Sequence, residues 1–303
     1  MSAAGSAPPR EPPRPGTFQR LGRAGAPVRL YAEDVLEGFA HHVAPASVDV
    51  VVTSPPYNLG VPYRSYRDRR PRAEYLAWMG EVAEAVRRAL APDGSFFLNV
   101  AGPPKDPAFP FAVAEVLQRS LVLQNVIHWV KSITIDRASV GRGQALERDL
   151  AVGHYKPVHS TRYVHGAHEY IFHFTHDGEV PLDRLAIGVP YADASNTGRW
   201  RSGGRGVRDR GNTWFLPYGT IQRRRRDRPH PATFPPELPD RCYRLHGLAR
   251  VHLAVDPFVG IGASAIAAAR LGLPFIGFDL DRGYLAEADR RLAREFPGRG
   301  VPV

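Results

Sequence analysis

Ser54-Pro55-Pro56-Tyr57 directly follows the apolar run Val48 to Val52, so a stiff, polar loop is set at the end of a buried strand. Two consecutive prolines fix φ and give up their N–H donors, which leaves their carbonyls as acceptors. Ser54 adds a hydroxyl and Tyr57 a flat ring. Acceptors beside a stacking face suit a planar amine, and the exocyclic amino groups of nucleobases are amines of that kind. An enzyme acting on one inside a duplex must first swing the base out of the stack into a pocket. The same residues also fit a plain proline turn leaving a strand, and the tetrapeptide by itself does not choose.

A second stretch supplies a ligand loop. Val251 to Val255 reads as a strand that runs into Asp256-Pro257-Phe258-Val259-Gly260-Ile261-Gly262, and an alanine-rich helix over Ala263 to Leu271 follows. The glycines permit a tight turn and the close approach of a ligand. The next strand, Pro274 to Phe278, ends at Asp279, an acid placed to bind ribose hydroxyls. Taken by itself, Gly260-x-Gly262-x-x-Ala265 with an acid about 20 residues on also satisfies the nicotinamide-dinucleotide fingerprint. A dehydrogenase would leave Ser54 to Tyr57 unexplained.

Ser-Pro-Pro-Tyr after an apolar strand, on one chain with Asp-Pro-Phe-x-Gly-x-Gly and a downstream acid, resembles the amino-group DNA methyltransferases. In that family the serine form is associated chiefly with N4 of cytosine, and Asp or Asn in its place mainly with N6 of adenine, so the resemblance implies cytosine N4 as the target, with adenine N6 and an atypical serine as the alternative. The resemblance implies that Ser54 and the Pro55 carbonyl accept the amine's hydrogens, Pro56 stiffens the loop and Tyr57 stacks on the base. It further implies S-adenosylmethionine as cofactor, held by Asp256, Pro257, Phe258, Gly260, Gly262 and Asp279. The family usually has Thr after the second glycine, whereas this chain has Ala263 and then Ser264, so a hydroxyl contact is expected from Ser264 or not at all. With the catalytic loop first and the cofactor loop last, the order is similar to the permuted β-type arrangement. Asp34, after Leu30-Tyr31-Ala32-Glu33, then sits where the family has an acid near the cofactor's adenine; it could equally be the N-cap of a helix from Val35 to Ala40. His230-Pro231-Ala232-Thr233-Phe234 resembles the segment that closes over the cofactor, with Phe234 near the adenine. Pro92 to Leu98 and His168 to Phe172 are similar to later core segments, and for His168 and His230 a hydrogen-bonded turn is favoured over proton transfer. The resemblance spans roughly residues 28 to 296 and leaves a homodimer and a cognate restriction endonuclease as open partners. A nucleic-acid-binding module with a degenerate cofactor pocket is the contrasting class, supported by Ala263 in place of Thr.

Composition agrees. The chain has 303 residues, 43% of them hydrophobic, without an apolar run long enough for a membrane span. A single cysteine, Cys242, excludes a disulfide framework and a cysteine zinc site and points to the cytoplasm. It also argues against cytosine C5 methylation, which needs a cysteine nucleophile in a Pro-Cys context, since Cys242 follows Arg241. Forty basic against thirty acidic residues give a formal charge of +10, which suits a polyanion such as double-stranded DNA.

Alternating strand and helix patterns predict an α/β fold, a doubly wound, mostly parallel, Rossmann-like sheet. Apolar residues at helical spacing predict a helix over Ala73 to Leu90, whose Tyr75, Trp78 and Met79 read as core. Strands are expected over Leu121 to Val130 and His168 to Thr175. The expected organisation is a disordered basic, proline-rich tail (1–27), a catalytic part (28–175), an inserted target-recognition region (176–229) and a cofactor-binding part (230–303). Candidate DNA contacts are Trp200, Arg201, Arg205, Arg208, Arg210 and the run Arg223, Arg224, Arg225 and Arg226, with Lys131, Arg137, Arg142, Arg148 and Lys156 in an earlier loop. The arginine run reads as phosphate contact, because mutually repelling charges gain most from a polyanion.

Overall fold

The computed structural model describes residues 16–140, 146–153, 159–191, 206–217 and 233–298. Among them nine strands form one sheet, in the order β1 (Thr17–Leu21), β2 (Pro27–Tyr31), β13 (Phe275–Phe278), β12 (Ala254–Asp256), β3 (Val48–Thr53), β4 (Leu90–Val100), β8 (His168–Thr175), β5 (Val122–Val130) and β11 (Thr213–Phe215). Strands β6 (Ser132–Ile135) and β7 (Leu150–Gly153) make one small ribbon, and β9 (Val189–Pro190) and β10 (Val207–Arg208) another. From β2 to β4 all neighbours are parallel, while β8 runs antiparallel to both β4 and β5. The sheet is thus doubly wound and mostly parallel, as the pattern predicts.

Helices α1 (Val35–His42), α2 (Arg72–Ala89) and α3 (Phe109–Leu117) cover one face; α4 (Glu237–His246), α5 (Ala263–Leu271) and α6 (Arg282–Glu295) cover the other. Strand β3 is buried along its whole length, with Val50 and Val52 in one core and Val48 and Val51 in the other. A strand covered on both faces reads as a continuous apolar run, which is why this one stands out. Its lone acid, Asp49, accepts the backbone N–H groups of His252 (2.6 Å) and Leu253 (2.9 Å).

Three expectations change. The strand predicted over Val251 to Val255 begins only at Ala254, because His252 and Leu253 spend their N–H groups on Asp49. The tail predicted to run to residue 27 already contains β1, which pairs with β2 and is pinned to α6 by a two-pronged Arg20–Asp289 ion pair at 2.6 and 2.8 Å. The region expected as an insertion over 176–229 contributes to the main core: β11 extends the sheet beside β5, and Val180, Ile187, Trp214 and Leu216 are buried. These pieces are too short for periodicity to show. Lys156, Trp200, Arg201, Arg205, Arg223 to Arg226, His230 and Arg142 lie outside the described residues.

Candidate active site

The parallel strands deliver their C-terminal ends to one edge of the sheet, and the chemistry collects there. Asp34 follows β2, Ser54 follows β3, Asn99 is next to last in β4, Asp256 ends β12 and Asp279 follows β13. A cavity of about 530 Å³ opens along this edge, lined by Asp34, Ser54, Pro55, Pro56, Tyr57, Phe234, Pro257, Phe258, Gly260 and Asp279 among the residues named from sequence. That volume is ordinary for a small-molecule site.

Its proline loop is held from several sides. The Tyr75 hydroxyl of α2 donates to the Pro56 carbonyl at 2.8 Å. Asn58, at φ 58°, exchanges hydrogen bonds with the Arg70 backbone. The buried Asp68 carboxylate accepts N–H groups from Asn58 (2.7 Å), Leu59 (3.1 Å) and Val61 (3.0 Å). Tyr63, Ser65 and Tyr66 of the same loop reach the cavity wall, and Ser65 donates to Asp281 at 2.9 Å.

On the glycine-loop side, Gly260 has φ 51° and its N–H donates to Asp279 Oδ2 at 3.0 Å. Asp279 also accepts from the Asp281 N–H at 2.7 Å, yet burial, the larger effect, pushes its carboxyl up to about 6. Asp34 is the N-cap of α1, its Oδ1 accepting the Leu36 N–H at 2.9 Å, and it also lines the cavity. Phe258 meets Trp78 edge-on at 5.5 Å, so Trp78 serves both core and wall. Tyr66 lines the cavity, and its hydroxyl is buried without a hydrogen-bond partner among the described residues. An unpaired buried hydroxyl costs about 1–3 kcal/mol, a deficit that a polar ligand here would remove.

Asp256, Gly262 and Ser264 stand behind the loop and do not line the cavity. Asp256 is buried and accepts from Thr53 Oγ1 (2.5 Å), Ser264 Oγ (2.5 Å) and the Phe258 N–H (3.0 Å). Burial nevertheless raises its carboxyl to about 6. The hydroxyl contact expected of Ser264 is therefore made to Asp256, which ties the glycine loop to β3. Gly262, at φ 80°, has no room for a side chain: a Cβ there would lie 2.8 Å from Ala288 Cβ.

At the other end of the cavity lies a polar cluster that sequence reasoning missed. Ser54 Oγ and the Tyr57 hydroxyl are 2.7 Å apart, and Tyr57 reaches Glu169 Oε2 at 3.0 Å and the Asn99 carbonyl at 3.2 Å. Asn99 Nδ2 donates to Glu169 Oε2 (2.6 Å) and Tyr57 (2.7 Å), with a longer contact to Ser54 Oγ (3.4 Å). Lys131, one of the candidate DNA contacts, pairs with Glu169 and lies over the Trp129 ring beside this cluster. His168, expected in a hydrogen-bonded turn, is instead the first residue of β8, packs edge-on to Tyr170 at 5.0 Å and does not line the cavity. Arg210 donates to the Ile187 carbonyl at 2.8 Å, Arg208 to the Asp209 carbonyl at 3.3 Å and Arg137 to the Glu147 carbonyl at 3.3 Å; Arg148 is exposed.

A doubly wound sheet carrying a glycine loop, an acid after the following strand and a stiff polar loop at one edge defines a Rossmann-like architecture of the nucleotide-binding kind. The DNA methylase model N6_N4_Mtase matches residues 48–290, and the chain belongs to that family. Type II methyltransferase M.BglII of Bacillus subtilis is 28% identical over 266 residues, covering 82% of this chain and 64% of the relative. Type II methyltransferase M.HpaI of Haemophilus parainfluenzae is 26% identical over 254 residues, covering 83% and 70%. The chain thus spans less than two thirds of M.BglII. Among solved structures, the PvuII DNA methyltransferase (cytosine-N4-specific) superposes with a TM-score of 0.60 at 18% identity, over 88% of this chain and 89% of that one. A Thermus thermophilus protein assigned as a DNA modification methylase, complexed with S-adenosyl-L-methionine, gives 0.56 at 23% identity, over 90% and 96%. At these identities the two structures bear on the fold alone.

Proposed function

We propose that the protein transfers a methyl group from S-adenosylmethionine to the exocyclic N4 of a cytosine flipped out of duplex DNA. The observation that carries this reading is the single cavity on which both Ser54-Pro55-Pro56-Tyr57 and the Gly260–Asp279 pair open. S-adenosylmethionine, when bound, supplies an electrophilic methyl group on a sulfonium. Asp279 would accept from the ribose hydroxyls, Asp34 offers a further acceptor, Phe234 and Phe258 provide apolar walls, and Tyr66 offers its unpaired hydroxyl. Ser54 Oγ and the Pro55 carbonyl would accept the two amine hydrogens. Those bonds draw the nitrogen lone pair out of the ring's conjugation and make it available as a nucleophile. Tyr57 would stack on the base, which leaves the duplex because its amine cannot reach this cavity from within the stack.

Serine at position 54 supports cytosine as the target through the family pattern, and the +10 charge supports a polyanionic substrate. The reading assigns Lys156, Trp200, Arg201, Arg205 and Arg223 to Arg226 to phosphates and base edges. Kinship with type II methyltransferases extends it to a modification role beside a restriction endonuclease. Digesting DNA treated with the protein and cofactor, and separating the nucleosides by mass, tests it. N4-methylcytosine is expected. N6-methyladenine in its place would reassign the base, and no modified nucleoside together with no cofactor binding would leave a nucleic-acid-binding function only.

A further inference from the structure

Resting on the reading above, we infer that Glu169 is the positioning residue of the transfer centre: its carboxylate sets the direction of the Tyr57–Ser54 hydroxyl pair so that Ser54 Oγ turns a lone pair to the incoming amine. The argument is a count of protons. A hydroxyl owns one hydrogen and two lone pairs. Among the described residues, two groups around the Tyr57 oxygen can only accept, Glu169 Oε2 at 3.0 Å and the Asn99 carbonyl at 3.2 Å, and one can only donate, Asn99 Nδ2 at 2.7 Å. Tyr57 must give its hydrogen to one of the acceptors, since otherwise both of them would face only its lone pairs.

The 2.7 Å contact between Tyr57 and Ser54 then needs its hydrogen from Ser54. With that hydrogen committed, Ser54 faces the cavity as an acceptor, its other contact being the long one from Asn99 Nδ2 at 3.4 Å. The carboxylate that orders this chain is well anchored. Glu169 is 7% exposed, takes a hydrogen bond from Asn99 Nδ2 at 2.6 Å and pairs with Lys131. Chains of hydrogen bonds ending on a charge polarise one another. Glu169 therefore lends Ser54 part of the negative character that an acidic side chain at position 54 would carry itself.

Glu169→Gln and Tyr57→Phe test this. In Glu169→Gln the amide oxygen turns to Lys131 and its NH₂ to Tyr57, which at almost constant volume leaves only the longer Asn99 carbonyl contact to hold the direction of the chain. Tyr57→Phe keeps the stacking ring and cuts the chain. Each variant is expected to slow single-turnover methyl transfer by about 10- to 100-fold, the scale seen when residues supporting a catalytic ligand are removed. S-adenosylmethionine affinity should stay within about twofold if the fold and cofactor half are intact, and the double variant should be no slower than the slower single one. Ser54→Asp in the Glu169→Gln background brings its own acceptor and should recover most of the lost rate. Wild-type rates in both single variants, or losses that multiply in the double variant, overturn the inference and leave the proposed function standing. A wild-type protein that methylates no duplex overturns both.

Discussion

Acidification should weaken cofactor binding through one carboxylate, Asp279. In the free protein its carboxyl sits near about 6, above its ordinary 3.8, chiefly because burial penalises the charge, with the Asp281 and Gly260 N–H groups pulling the other way. The ionised form thus costs stability at neutral pH, a cost relieved as pH falls through 6 toward 3.8. Ribose hydroxyls donate to the same oxygens and favour the ionised form, so binding has the opposite dependence on pH. The dissociation constant for S-adenosylmethionine should hold steady above about pH 7 and rise about tenfold by about pH 5, near 1.4 kcal/mol. Titration calorimetry of the full chain at matched ionic strength reads this. Asp279→Asn should bind weakly with little dependence on pH. A slope that persists in that variant would move the titration to Asp256, which burial also raises to about 6 behind the same loop, and would refute the ribose assignment.

Ser264→Ala should destabilise the protein by about 1–3 kcal/mol, because it strips a donor from the buried Asp256; thermal unfolding checks this, and a loss confined to cofactor affinity would place Ser264 in the cavity after all. Tyr75→Phe leaves the Pro56 carbonyl without its clamp, so methyl transfer should slow while cofactor affinity holds. Burial lowers His173 to about 3, and burial with Arg250 lowers His246 to about 4, both neutral partners of the buried Ser95 hydroxyl. Their stabilising contribution is complete above about pH 6.5 and is lost progressively as pH falls toward 4, partly offset by the relief at Asp256 and Asp279. Urea midpoints near pH 7 and near pH 5 should therefore lie closer together in His173→Gln than in wild type.

What could be read from the residues follows the direction of the strands. β3, β12 and β13 run parallel, and the rule that ligands gather at their C-terminal ends leads to Ser54, Gly260 and Asp279. The same rule reaches Asn99, one residue past the Phe96-Phe97-Leu98 run, although a lone amide there carries no motif. It misleads for Glu169, because β8 runs antiparallel and brings its first residues, not its last, to the catalytic edge: Glu169 pairs with Trp129 near the end of β5. Strand direction is a tertiary property that an apolar pattern does not encode. Asp256 and Ser264 carry the loop's signature, yet their oxygens point at each other and at Thr53. A residue type says what a side chain can bind, and only packing decides whether that is a ligand or the next strand. β1 and β11 escaped notice because each rests on one partner strand and a few side chains, Arg20 with Asp289 in one case and Trp214 in the other.

The distribution of charge joins the two halves of the proposed reaction. Among the described residues, a chain of net charge +10 lines its main cavity with five carboxylates, Glu33, Asp34, Glu169, Asp279 and Asp281, against one lysine, and that lysine is paired with Glu169. A polyanion gains nothing from such a pocket, whereas a sulfonium does, since low-dielectric walls concentrate the field of each acid. The exposed arginines and the cavity therefore suit different partners. In the proposed reaction the backbone phosphates would stay outside and a neutral base would enter. A neutral base needs a neutral, well-directed acceptor more than another full charge, and Ser54 with its ordered hydroxyl is such a group, set where an additional carboxylate would have crowded an already acidic site.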